Sequence, residues 1–122
     1  MRIASGLFAA IFALGAIVQL NDPDPLLWIL GYAVASILSI AGALGRPHRV
    51  ANALAAIVFG LWFLSLAASL AGAPQEAFTS FEMQADSHEE PREAVGLLLL
   101  CGWSAAVAVW AGRRSDEEAT KR

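Results

Sequence analysis

The chain has 122 residues, 57% of them hydrophobic, with 8 basic and 11 acidic side chains and a net charge of −3. None of those charges falls in 3–21, 25–45, 50–75 or 94–112. A soluble domain needs polar residues on the outer face of each helix, so this distribution excludes a soluble enzyme, a nucleic-acid binder, a disulfide-stapled secreted domain and a disordered tail.

An uncharged apolar stretch of about 18 residues or more reads as a membrane-spanning helix. The first such helix is expected over 3–20, roughly 27 Å long at 1.5 Å per residue. Arg2 ahead of an apolar run also resembles a secretory signal peptide. Ile17-Val18-Gln19-Leu20 offers no small residues for cleavage, so the helix is expected to be retained. Asn21-Asp22-Pro23-Asp24-Pro25 stops it, and each proline pushes the aspartate before it into extended backbone. Asp24 suits an N-cap and Pro25 a first helical position, which starts the second helix over 25–44. Gly45–Arg49 forms a short turn. Asn52 suits the cap of a third helix over 53–73, which Pro74 helps to end. An outer loop follows over 74–91. Within it Phe78, Phe81 and Ala85 share one face at i, i+3 and i+7. That spacing suits a short interfacial helix over 75–87, with a plain flexible loop as the alternative. The fourth helix is expected over 92–112, with a charged tail over 113–122. The chain therefore reads as all-α: four transmembrane helices in an antiparallel bundle, forming a single integral membrane domain over 1–122.

Orientation follows from counting Lys and Arg at the membrane ends. Four spans put both termini and the 45–52 turn on one side, which carries Arg2, Arg46, Arg49, Arg113, Arg114, Lys121 and Arg122. The other side carries Arg92 alone. Both termini are therefore expected in the cytoplasm, in a cell (inner) membrane. The outer side is acidic instead, with Asp22, Asp24, Glu76, Glu82, Asp86, Glu89, Glu90 and Glu93. Trp28 and Trp110 fit aromatic belts near span ends. Small-xxx-small spacings at Gly31/Ala35 and Ala56/Gly60 permit close helix approach. Cys101 has no second cysteine to pair with and is expected to act as a small hydrophobe.

Two polar junctions face the outer side. One is Gln19-x-Asn21-Asp22-Pro23-Asp24-Pro25, followed by Trp28 and Tyr32. The other is His88-Glu89-Glu90-Pro91-Arg92-Glu93, followed by Gly96. Gln19, Asn21, Asp22, Asp24, Tyr32, His88, Glu89, Arg92 and Glu93 are the candidate ligand or ion site. Carboxylates with one imidazole suit a hard or borderline divalent ion, so Asp22, Asp24, His88, Glu89 and Glu93 are the candidate metal ligands. HExxH is absent, and His48 lies on the opposite side of a ~30 Å barrier. A two-histidine zinc or bis-histidine haem within one subunit is therefore excluded. Ser87 beside His88 does not make a triad, and no catalytic residue or cofactor is assigned. A structural alternative pairs Asp22 or Asp24 with Arg92. Proton-coupled transport is disfavoured, because no ionisable carboxylate or amine lies mid-span.

Both junctions resemble the transmembrane protein 220 family of small helical membrane proteins. The likeness rests on Gln19, Asn21, Asp22, Pro23, Asp24, Trp28 and Tyr32, then on His88-Glu89-Glu90, Arg92-Glu93 and Gly96. Pro91 departs from the pattern. The resemblance implies that the two junctions belong together, and it carries no biochemical activity with it. The leading expectation is a non-enzymatic membrane module whose outer polar face binds an ion, a small ligand or a partner. The alternative is a membrane oxidoreductase subunit or enzyme acting on a quinone or lipid at the outer interface. The lipid bilayer is the expected surrounding, with a second copy or another membrane protein as partner and no nucleic acid.

Overall fold

The computed structural model describes residues 1–73, 75–79 and 89–122. The fold is all-α. The helices are α1 (Arg2–Val18), α2 (Pro25–Ala43), α3 (Arg49–Leu66), a single turn α4 (Glu76–Thr79) and α5 (Glu89–Thr120). Two 3₁₀ segments extend α1 over Gln19–Asn21 and α3 over Ala67–Gly72. Among the described residues there is no strand, and four helices are long and apolar enough to cross a membrane.

The structure divides into two compact units, Met1–Ala55 with Ser104–Arg122, and Ala56–Trp103. The first contains an antiparallel hairpin of α1 and α2. Its register is fixed by successive contacts along the pair. Arg2 Nε donates to Ala43 O at 3.0 Å, and Ser36 Oγ donates to Ala9 O at 2.8 Å. Between them Ser5 Oγ lies 2.8 Å from where a Gly42 Cβ would stand. Further along, the Tyr32 ring lies 2.9 Å from the corresponding position at Gly15. The buried residues of the pair are Ser5, Ala9 and Phe12 on α1, and Trp28, Ala35, Ser36, Ser39 and Gly42 on α2. The large aliphatic side chains point away: Ile3 is 84% exposed, and Leu7, Leu14, Leu26 and Ile37 are exposed with it. Serines, alanines and a glycine with two aromatics inside, and large aliphatic side chains outside, depart from the soluble pattern. That arrangement suits a lipid solvent, where helices gain nothing by hiding leucine from tails of equal apolarity and associate by close approach and hydrogen bonds instead.

The second unit packs α3 against the first half of α5. Cys101 Sγ donates to Ala56 O at 3.3 Å, and Gly60 leaves room for that sulfur. The Ala56/Gly60 spacing thus accommodates a cysteine, which behaves as a small packed side chain. Ala94, Leu97 and Leu100 form the buried stripe of α5 in this unit, with Phe59 buried on α3.

Several element boundaries differ from those read in the sequence, the start of α5 at Glu89 and not at 92 among them. α3 begins at Arg49, not at residue 53, and Asn52 does not cap it. Asn52 is buried in the first turn, and its Nδ2 donates back to His48 O at 2.9 Å. α5 continues through the charged 113–122 segment as far as Thr120. Charge marks where lipid ends, and a helix satisfies its own backbone on either side of that border. The last turns of the third span are 3₁₀, not α. Ser65 and Ser69 donate to the carbonyls three residues back, Trp62 O at 2.6 Å and Leu66 O at 2.7 Å. Such back-bonding competes with the α ladder. Glu76–Thr79 forms a single helical turn within the 75–87 segment, and Phe81 and Ala85 lie outside the described residues.

Candidate functional site

The first junction belongs to the Met1–Ala55 unit and is built by a 3₁₀ exit from α1. Gln19–Asn21 tighten the last turn, and the Asp22 N–H donates to Gln19 O at 3.0 Å. Asp22 then adopts φ −80°, ψ 153°, the extended backbone that a following proline imposes. Asp24 takes the N-cap position of α2 ahead of Pro25, with φ −129° and ψ 62°, so unlike Asp22 it is not in the extended backbone expected before a proline. Its carboxylate makes no side-chain cap hydrogen bond. The cap position is therefore filled as expected while the cap interaction is not made. Asn21 and Asp24 are exposed, and Gln19 and Asp22 are half-buried. Within this unit neither aspartate carboxylate has a described hydrogen-bond or ion-pair partner.

Tyr32 has a different role from these four residues. It lies well inside α2, and its ring lies across Gly15 with the Phe12 ring 6.3 Å away, centroid to centroid. Phe12 in turn packs on Phe8 at 5.6 Å. A Cβ at residue 15 would collide with Cδ1 of the tyrosine, so Gly15 and Tyr32 form one fitted contact between α1 and α2. Trp28, one turn earlier, is only 5% exposed. It is a buried side chain and not a lipid-facing belt residue. Gly15 and Phe12 drew no functional reading from the sequence. Their signal is tertiary, because a glycine in an alanine-rich helix reveals nothing until its neighbour is known.

The second junction belongs to the Ala56–Trp103 unit. α5 starts at Glu89, which puts Pro91 in the first helical turn. Backbone N–H groups there have no intrahelical acceptor, so the missing proton of Pro91 costs nothing and the helix runs through it. Glu89 and Glu93 share a face at i, i+4. Arg92 Nε donates to Ala77 O at 2.6 Å, which ties the α4 turn to the first turn of α5. Ala77 is fully buried. Glu89, Arg92 and Glu93 are half-buried, and His88 lies outside the described residues. Among the described residues no three His, Cys, Asp or Glu side chains gather closely enough to hold a metal ion.

The family model described as transmembrane family 220, helix, matches residues 11–109, a stretch that contains both junctions. The chain belongs to that family. As a family 220 protein it is a multi-pass membrane protein, and its four apolar helices agree with that membership. No solved structure matches this family 220 chain.

Proposed function

We propose that this family 220 protein is a non-enzymatic membrane module whose polar junctions bind a cation or a hydrogen-bond-donating ligand at the outer membrane face. The observation that carries this is the state of Asp22 and Asp24. Both stand at a helix junction, and Asp24 occupies a cap position without using its carboxylate there. A carboxylate not used by the local backbone keeps its acceptor sites for another donor. Asn21 and Gln19 add amide groups to the same turn. Glu89, Glu93 and His88 supply further acceptors at the second junction, on the same side of the membrane if the chain is threaded with both termini in the cytoplasm. The excess of Lys and Arg at residues 2, 46, 49, 113, 114, 121 and 122 supports that threading and a place in the inner membrane.

Calcium, magnesium and manganese ions and spermidine are suitable probes for purified protein in a neutral detergent. At least one is expected to raise the thermal unfolding midpoint of the wild type, with the rise lost in Asp22→Asn/Asp24→Asn. A wild type indifferent to every probe, or a shift retained by the double variant, would remove the first junction from the binding site. Threading is tested separately with a membrane-impermeant maleimide in a Cys101→Ser background. Gln75→Cys is expected to label from outside and Ser115→Cys only after permeabilisation, and the reverse pattern overturns the orientation.

A further inference from the structure

At the opposite end of the Met1–Ala55 unit, three arginines meet around the turn between α2 and α3. We propose that this turn is a binding site for the phosphate group of an anionic phospholipid, held chiefly by the guanidiniums of Arg2 and Arg114.

The local backbone sets the arrangement. α2 ends in a left-handed glycine, Gly45, at φ +79°. The Arg46 N–H donates to Ala41 O at 2.8 Å and the Gly45 N–H to Gly42 O at 3.0 Å, the paired bonds of a Schellman ending. The last carbonyls of α2 are thereby brought into reach of side chains from other helices. Arg2 Nε donates to Ala43 O at 3.0 Å, and its Cζ lies 3.5 Å from where a Gly45 Cβ would stand. Arg114 reaches the same glycine from α5, with Nη1 donating to Gly45 O at 2.9 Å. Trp110 lies under Arg114, its ring centroid 5.6 Å from Cζ. Arg49, at the start of α3, lies against Gly112, with Nε 3.2 Å from that glycine's Cβ position.

Two guanidiniums are therefore held at the end of α2, Arg2 on Ala43 O and Arg114 on Gly45 O, and Arg49 follows the same turn with its side chain against Gly112. Like charges held together repel, and the repulsion grows where lipid lowers the local dielectric. The α2 carbonyls offset part of it through the helix dipole. Water and salt screen part of the rest at these positions, and a bound anion would offset more. No carboxylate occurs in 25–75 or 94–115 to provide one. Arg114 pairs with Glu118 at 3.6 Å, both side chains being substantially exposed, and such pairs contribute little. Arg2 uses Nε and Arg114 uses Nη1, so each keeps further N–H donors. Planar guanidinium donors match the oxygens of a phosphate.

The lipid is favoured over a free phosphate by what surrounds the charges. Candidate spans begin at Arg2 and at Arg49 and one ends at Ala43, which suits a place for this turn at headgroup depth. Ile3, Leu44 and Val50 are 84%, 68% and 70% exposed at the same end, beside the charged turn. A phosphate with an acyl chain satisfies both surfaces, whereas a free ion satisfies only one.

The test uses the full chain purified in a neutral detergent. Phosphatidylglycerol and phosphatidylcholine of the same acyl length are titrated in turn, and the unfolding midpoint is read. Phosphatidylglycerol is expected to raise the midpoint several degrees more than phosphatidylcholine in the wild type. That preference is expected to vanish in Arg2→Gln/Arg114→Gln and to persist in Arg113→Gln/Lys121→Gln, which removes the same charge from exposed positions. If the first double variant does not fold, the Arg2→Gln single variant is read the same way. Native mass spectrometry of the wild type, with phosphatidylglycerol retained in preference to phosphatidylcholine, gives a readout that needs no variant. Equal response to the two lipids, a preference that survives in the Arg2 and Arg114 variants, or a full shift from inorganic phosphate alone would each overturn the proposal.

Discussion

The two ends of the α1–α2 hairpin treat their charged side chains in opposite ways. At the Leu44–Arg49 end, Arg2 and Arg114 are committed to backbone carbonyls that α2 leaves open, and the turn is closed by a Schellman pair. At the Gln19–Pro25 end, Asp22 and Asp24 stand beside a helix N-terminus and Asp24 makes no cap bond. The difference comes from the backbone. A helix C-terminus presents carbonyls to long donors that reach from neighbouring helices. A helix entered through Asp-Pro already has its first amide replaced by a proline ring, and φ there is preset. One end uses charge to join helices, and the other leaves charge available.

Four substitutions put that contrast to the test, and the largest effect is expected inside the hairpin. Gly42→Ala places a methyl 2.8 Å from Ser5 Oγ and 3.2 Å from Ser5 Cβ. Overpacking of this kind costs about 1–3 kcal/mol, and adding Ser5→Gly is expected to restore part of it. Unchanged stability in a denaturing-detergent titration would mean that α1 and α2 do not meet there.

Gly45→Ala comes next, since the left-handed conformation costs a non-glycine residue about 1–2 kcal/mol. Gly45→Asn is expected to lose less. Identical midpoints for the two would show that the Schellman ending is not held in the membrane-bound protein.

Arg114→Gln removes a cation from the C-terminus of α2 and is expected to cost about 0.3–1 kcal/mol at low ionic strength. The loss should shrink as salt is added. A salt-independent loss would point to lost packing against Trp110 instead.

The smallest effect is expected at the other end. Asp24→Ala should cost less than about 0.5 kcal/mol, as for surface positions outside special features. An engaged N-cap would typically cost about 1 kcal/mol. A loss of that size or larger would show that the carboxylate is in use, and the contrast between the two ends would fail.

Much of this was legible in the chain. The charge-free windows gave the four spans, Asp22-Pro23 gave the extended exit, and Asp24-Pro25 gave the start of α2 at Pro25, though Asp24 itself is not extended. The polar residues of the first junction fell together because they are nearly consecutive. Other features were not legible. Asn52 looked like a cap, but the backbone had already turned helical at Arg49, and its side chain folded back on His48 O. The 113–122 segment looked like a tail because charges cluster there, but Ala, Arg, Glu and Lys are good helix formers in water. Tyr32 looked like a site residue because it follows the polar turn by two helical turns. Its ring lies on Gly15, a relation that depends on the register of two helices.

The sequence alone determined that this is a membrane protein, how many times its helices can cross, and which charged residues stand at the ends. Those properties follow from transfer of side chains between water and hydrocarbon, which each residue undergoes wherever its neighbours are. Only the tertiary structure decided which small residues matter. Gly42 and Gly15 are close-contact points, whereas a Cβ at Gly102 would meet nothing within 4 Å. It also decided that arginines distant in sequence converge on Gly45. Between helices of equal apolarity the hydrophobic effect does not choose a register. That choice rests on steric fit and a few hydrogen bonds, and both need the partner helix in place.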